Sequence, residues 1–340
     1  MTRRQFQVGL AGLGISGCGG RGPAAQETGR PAARGPEFHR GVNFTAEWPD
    51  KYASPRTREM LRRLPEFGVD SVALVPYGFC RRNSPEIRFH ADKNWERDAD
   101  LGVLADVARD AGMRVLLKPQ IWVPRGFPGD LDFEAPAERA TWFRGYEAFL
   151  RHYAGVAVRC SAEILSVGVE FSRMVRYEEE WRKLIGIARD IYRGRLVYAA
   201  NWGAEFETVG FWGDLDYIGL NNYYPLPEDL SMDSVVATVE RVHRKAGRPV
   251  LFPETGFPSL VNAHREPWAD RPRREISLEE QARCYEASFE AFYHQPWFHG
   301  LYWWKVGSNG FGGPEDGSHT PWNKPAMDVI ARWYRRGRGF

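Results

Sequence analysis

From Phe38 onward, short apolar runs rich in β-branched and aromatic residues alternate with longer stretches whose apolar positions recur at helical spacing. Strands are predicted over 41–45, 71–76, 114–120, 163–169, 195–200, 217–221, 249–253 and 300–304. Between them the helical period returns. The first helix, 56–67, places Met60, Leu64 and Phe67 on one side, and the second, 98–111, does so with Leu101, Leu104, Val107 and Ala108. The third carries Trp142, Phe143, Tyr146, Phe149, Leu150 and Tyr153, the fourth Trp181, Leu184, Ile185, Ala188 and Ile191, and the sixth Val235, Val236, Val239 and Val242. The fifth, near 205–209, is weak, and the eighth runs from Pro325 to about Arg336. The seventh opens on Ser277-Leu278-Glu279-Glu280, a capping-box spacing in which hydroxyl and carboxylate would satisfy free amides of the first turn.

Eight strand and helix units in one chain predict a single (β/α)8 TIM barrel over 37–340. A doubly wound open sheet fits the alternation too, but no glycine-rich phosphate loop follows the first strand. Two segments exceed what barrel loops need, 77–97 after strand two and 260–276 after strand seven, and both would lie on the C-terminal rim. The second holds Trp268 and could shape a substrate groove.

Two strands end alike. The stretch EILSVGVEFS delivers Glu170 after a buried-type run, and RPVLFPETGFP delivers Glu254 before a Thr-Gly turn. In one parallel barrel both carboxylates reach the rim where such folds keep their active sites. Paired carboxylates there suit glycoside hydrolysis, with retention at about 5–5.5 Å separation and inversion at about 6.5–9.5 Å. A lone Glu at a strand end is ordinarily a salt-bridge partner or a cap, so the neighbours decide. They are residues that bind sugars. Strand one supplies Asn43 and then Trp48, strand three Gln120 and Trp122, strand five Asn201 and Trp202. Strand six ends in Asn221, Asn222, Tyr223 and Tyr224, and strand eight in Trp303, Trp304 and Lys305. Amides that bind hydroxyls and flat apolar rings recur around one rim.

The N-terminal residues read otherwise. Arg3 and Arg4 precede a short apolar stretch and the sequence Ile15-Ser16-Gly17-Cys18, which resembles a bacterial twin-arginine signal ending in a lipoprotein box. Residues 1–18 are thus expected to direct export, with Cys18 lipidated, and residues 19–36, rich in Gly, Pro and Ala, to form a tether. The expected location is periplasmic or cell-surface, with the membrane reached only through that lipid. Arg3 and Arg4 also account for the excess of 46 basic over 44 acidic residues, so the remainder is neutral and nucleic acid is not an expected partner. A carbohydrate is, bound by a monomer.

The order of a strand-four Glu, a strand-six Tyr, a strand-seven Glu and a strand-eight Trp resembles clan A glycoside hydrolases. Within it, GVNFTAEW, IGLNNYYPL, FPETGF and NKPAMDVIARWY are similar to the family 113 β-mannanases, over about residues 38–336. The resemblance implies Glu170 as acid/base, Glu254 as nucleophile and Tyr223 as its hydrogen-bond partner. It also implies Trp303 or Trp304 as the platform under the cleaved sugar, in a retaining double displacement on β-1,4-mannan. Most of the clan has Asn before the acid/base; Val169 stands there.

Two other readings use the same residues: a transglycosylase sharing the covalent intermediate, and a tethered carbohydrate-binding lipoprotein without turnover. A metal-dependent hydrolase is a poorer match, because none of the eight histidines stands in His-x-His or His-Glu-x-x-His spacing. No metal or cofactor is therefore expected. Cys80, Cys160 and Cys284 lack ligand spacing, and no disulfide is expected among them.

Overall fold

The computed structural model describes residues 38–47, 52–89, 97–269 and 275–336. The expected export signal with Cys18, the expected tether, Trp48 and His90 fall outside them. Eight parallel strands close into a barrel: β1 (His39–Thr45), β2 (Ser71–Leu74), β3 (Arg114–Leu117), β4 (Ile164–Val169), β5 (Arg195–Asn201), β6 (Tyr217–Asn222), β7 (Val250–Thr255) and β8 (Phe298–Gly307). Each pairs with its neighbours in chain order, and β8 closes on β1 with Val42 opposite Trp303. The helices between them are α1 (Pro55–Arg63), α2 (Asp98–Asp110), α3 (Pro136–Arg159), α4 (Glu178–Ile191), α5 (Ala204–Thr208), α6 (Asp233–Ala246), α7 (Leu278–Phe292) and α8 (Pro325–Arg335).

The strands read as continuous apolar runs because both faces are covered. All six residues of β4 are buried. One set of alternate side chains fills the barrel: Ala73, Leu116, Ile164, Val197, Tyr217, Leu251 and Tyr302 form a cluster of their own. The Tyr302 ring lies across Gly41, where a Cβ would sit 2.3 Å from it, so that position of β1 has no room for a side chain. The other set meets the helices. There Trp142 stacks on Tyr146 at 5.0 Å, and the Tyr146 hydroxyl donates to the Val167 carbonyl of β4 at 2.9 Å.

Prolines cut two predicted elements short. The run 114–120 stops as a barrel strand at Leu117, and 71–76 stops at Leu74, because Pro119 and Pro76 have no N–H for the ladder. Beyond them the chain forms a small second sheet, in which Tyr77–Cys80 pairs with Gln120–Trp122 and Ile87–Arg88. In the first helix, Pro65 follows the α-helical turns and 64–67 tighten into a 3₁₀ turn.

The Ser277 hydroxyl caps α7 as predicted, accepting from the Glu280 amide at 3.2 Å. The Glu280 carboxylate does something else: it accepts from the Asn262 amide at 2.7 Å and from His264 Nδ1 at 2.7 Å, so it ties the loop after β7 to the helix. Cys80, Cys160 and Cys284 are buried free thiols.

Candidate active site

Glu170 and Glu254 meet at the C-terminal mouth of the barrel. Glu170 is the first residue after β4; its amide donates to the Ala199 carbonyl of β5 at 2.9 Å, and its backbone is left-handed, with φ 58°. Glu254 lies within β7 opposite Asn221 of β6, just after a shift of register at Pro253. The Pro253 carbonyl, released from the ladder, accepts from Asn43 Nδ2 at 3.0 Å.

The two carboxylates have opposite surroundings. Tyr223 donates to Glu254 Oε1 at 2.8 Å, and Lys118 Nζ and Gln120 Nε2 approach Oε2 at 2.7 and 3.4 Å. Lys118 is fully buried, and its ammonium also lies 4.9 Å from the centre of the Trp304 ring. Burial pushes the Lys118 pKa down, while Glu254 beside it opposes the shift. The Tyr223 phenol is held well above its ordinary range by burial and by Glu254. Glu170 has one donor, Asn221 Nδ2 at 3.0 Å. Burial, and then the Glu254 charge, push its pKa up to about 8. One carboxylate is thus held by a cation and two neutral donors while the other favours its protonated form.

A cavity of about 670 Å³ opens over both. Gln120, Trp122, Asn201, Tyr223 and Trp304 line it, as do Val169, Trp202, Trp268 and His319. Trp202 and Trp268 stack at 5.1 Å, which joins the ends of β5 and of the long loop after β7 in one aromatic wall. A second cavity of about 640 Å³ adjoins the first, with Lys305 and Ser318 in both walls; Glu47, Asn309 and the exposed Phe311 line its far side.

Of the residues read as sugar-facing, Asn43, Asn221, Asn222, Tyr224 and Trp303 do not line this cavity. Trp303 is fully buried and stacks on Tyr285 of α7 at 3.7 Å, because alternation along β8 turns it to the helical layer and Trp304 to the cavity. Asn43 is also fully buried; it donates to the Pro253 and Tyr302 carbonyls and does not line the cavity, so it holds β7 and β8 rather than substrate.

Lys118, Glu205 and His319, whose charges or side chains bear on the site, are among the residues that the sequence does not single out. Lys118 carried a signal, a lysine directly after the apolar run Val115–Leu117. Glu205 lies in the weakest predicted helix, and His319, whose Nε2 donates to the Pro267 carbonyl at 2.7 Å, in a loop. Among the described residues no group of three or more His, Cys, Asp or Glu is arranged to hold a metal ion, and no helix is long and apolar enough to cross a membrane.

The closed barrel and the site at its mouth define a TIM-barrel glycoside hydrolase. Residues 43–313 match the model of Glycoside Hydrolase Family 113, and the chain belongs to that family. A family 113 β-mannanase from Alicyclobacillus acidocaldarius, solved in complex with ManMIm, is 32% identical, with a TM-score of 0.81 over 88% of this chain and 97% of that one. A family 113 β-1,4-mannanase, also solved as a complex, is 27% identical, with a TM-score of 0.81 over 88% of this chain and 99% of that one. A family 2 β-galacturonidase from Eisenbergiella tayi, at 13% identity and a TM-score of 0.62, shares the fold alone. The comparison with curated proteins gave no match.

Proposed function

We propose that the chain hydrolyses β-1,4-linked mannan or its oligosaccharides with retention of anomeric configuration. The contrast between the two carboxylates carries the reading. Glu254, oriented by Tyr223 and charge-balanced by Lys118, attacks the anomeric carbon as the bond to the leaving oxygen breaks. Glu170 delivers its proton to that oxygen. The glycosyl ester on Glu254 is then hydrolysed by a water whose proton returns to Glu170, so both residues end as they began. Trp304 supplies the apolar floor, and Gln120 and Asn201 supply amides for sugar hydroxyls.

Val169 presents no donor at the position where most of the clan has Asn, so recognition of the 2-hydroxyl falls to other residues of the wall. The adjoining cavity leaves room for further sugar units, which favours a polymer cut internally. Export belongs to the same proposal: the twin-arginine stretch and the Cys18 box would place the enzyme outside the cytoplasm, held by a lipid.

The test is incubation with β-mannan, mixed-linkage glucan and xylan, beside Glu170→Gln and Glu254→Gln. The expected result is reducing-end release from mannan by wild type alone, with the first-formed product in the β configuration by NMR. An α product would overturn retention, and binding without release would favour the carbohydrate-binding reading.

A further inference from the structure

A third carboxylate is built in behind the acid/base. Glu205, in the first turn of α5, is 4% exposed. Ser172 Oγ donates to its Oε2 at 2.6 Å, and the Tyr198 hydroxyl donates to its Oε1 at 2.7 Å. The same Tyr198 oxygen accepts from the Phe171 amide at 3.0 Å. Glu205 therefore grips the chain at the two residues that follow Glu170, at Ser172 through its hydroxyl and at Phe171 through Tyr198 and the Phe171 amide. On the other side the Glu170 amide is fixed to Ala199.

The clamp has a reason to exist. Glu170 occupies the left-handed region, which costs a residue with a side chain about 1–2 kcal/mol and persists only where the surroundings over-determine it. Tyr198 reaches Phe171 because Gly168 has no side chain; a Cβ there would stand 2.6 Å from the tyrosine ring. The β4 sequence, the β5 tyrosine and the α5 glutamate thus fit together around one carboxylate.

We propose that Glu205 is a positioning residue for Glu170: it locks the backbone that aims the acid/base at the leaving oxygen and sets a second negative charge behind it. This rests on Glu170 being the acid/base. The charged and titratable groups facing Glu170 are Glu254 from β7, Lys118 after β3, Tyr223 after β6 and Glu205 from α5. Lys118 favours the ionised form, and Glu254 and Glu205 oppose it. Glu205 is itself pushed up to about 7 by burial, against the pull of the Ser172 and Tyr198 hydroxyls and of the Asn201 and Phe171 backbone amides.

Glu205→Gln keeps the shape and removes the charge. With mannan, kcat/KM should fall about 10- to 100-fold, part of the ~10²–10⁴ that a general acid supplies. With 2,4-dinitrophenyl β-mannoside, whose leaving group departs without a proton, kcat/KM should stay within about twofold, since that ratio reports the first chemical step. The alkaline limb of the mannan profile should move to lower pH, because Glu170 ionises more easily with one negative charge gone. Equal losses on both substrates with an unmoved limb would overturn the proposal. Should Glu205→Gln fail to fold, Ser172→Ala removes one clamp bond and leaves the carboxylate in place. It should show the same split between substrates at smaller size, and equal losses there overturn the proposal too. Glu170→Gln is the control: without a split in that variant, the acid/base assignment itself has failed.

Discussion

The Tyr223 hydroxyl donates to Glu254 Oε1 at 2.8 Å, across 31 residues of sequence, and both side chains are buried. A phenol whose pKa is pushed upward keeps its proton at every working pH, so it remains a donor throughout turnover. It fixes Oε1 of the carboxylate, while Lys118 and Gln120 approach Oε2.

Tyr223→Phe removes that donor without emptying the space. A hydrogen bond to a charged group contributes about 1.5–3 kcal/mol. The expected loss is therefore about 10- to 100-fold in kcat/KM, with folding stability also lowered by about 1.5–3 kcal/mol because the buried Glu254 oxygen loses its donor. Steady-state kinetics and a thermal melt test it together.

Lys118→Met leaves the Glu254 carboxylate buried without its cation. Breaking a buried pair costs about 3–5 kcal/mol, so the variant should unfold at much lower denaturant and lose activity. The double variant Lys118→Met, Glu254→Gln should recover part of that stability, since no charge is then left alone. A denaturant double-mutant cycle reads the coupling; additive losses would show the two do not act as a pair.

Glu170 binds its proton more tightly in the folded chain than in the unfolded one, with a pKa near 8 set first by burial and then by Glu254. Two consequences share a sign. Activity that needs the protonated acid should fall as pH rises through about 8. Folding stability should also decline as pH rises above the ordinary carboxylate pKa of about 4.3 and level off past about 8, where both states have lost the proton. Glu170→Gln should lose activity yet melt higher than wild type at about pH 9, with the advantage gone by about pH 4. Thermal melts across that range decide it.

Gly168→Ala drives a Cβ to 2.6 Å from the Tyr198 ring and 2.9 Å from Trp181. Overpacking of this kind costs about 1–3 kcal/mol. Because Tyr198 holds the Phe171 amide, kcat/KM should fall as well, and on mannan more than on an activated aryl mannoside. Melting temperature and the two kcat/KM values test the two halves separately.

Trp303 and Trp304 are neighbours with opposite duties. Trp303→Ala removes a fully buried ring stacked on Tyr285 and should cost about 3–5 kcal/mol of stability. Trp304→Ala should leave the melt close to wild type while kcat/KM falls by about tenfold or more, equivalent to about 1.4 kcal/mol of lost transition-state binding. A swap of these two outcomes would reverse the assignment of faces.

By itself the sequence determined the eightfold alternation, the positions of most elements, and the two glutamates at the ends of apolar strands. These follow from interactions a few residues long: burial on both faces of a strand, helical period, and capping by Ser277. Tertiary structure decided what those glutamates meet. Lys118 reaches Glu254 across 136 residues only because the barrel closes β3 and β7 around one centre. Which of two adjacent tryptophans faces the cavity depends on the side to which β8 turns each of them, and the pair Trp303-Trp304 reads the same either way. Asn43 carries a residue type that binds sugar, yet the carbonyl freed at Pro253 takes its amide below the cavity. Glu205 lay in the least regular helical pattern of the chain, because a five-residue helix has too few turns to show a period. Its importance comes from its contacts with Ser172 and Tyr198, at separations of 33 and 7 residues, where local propensity is silent.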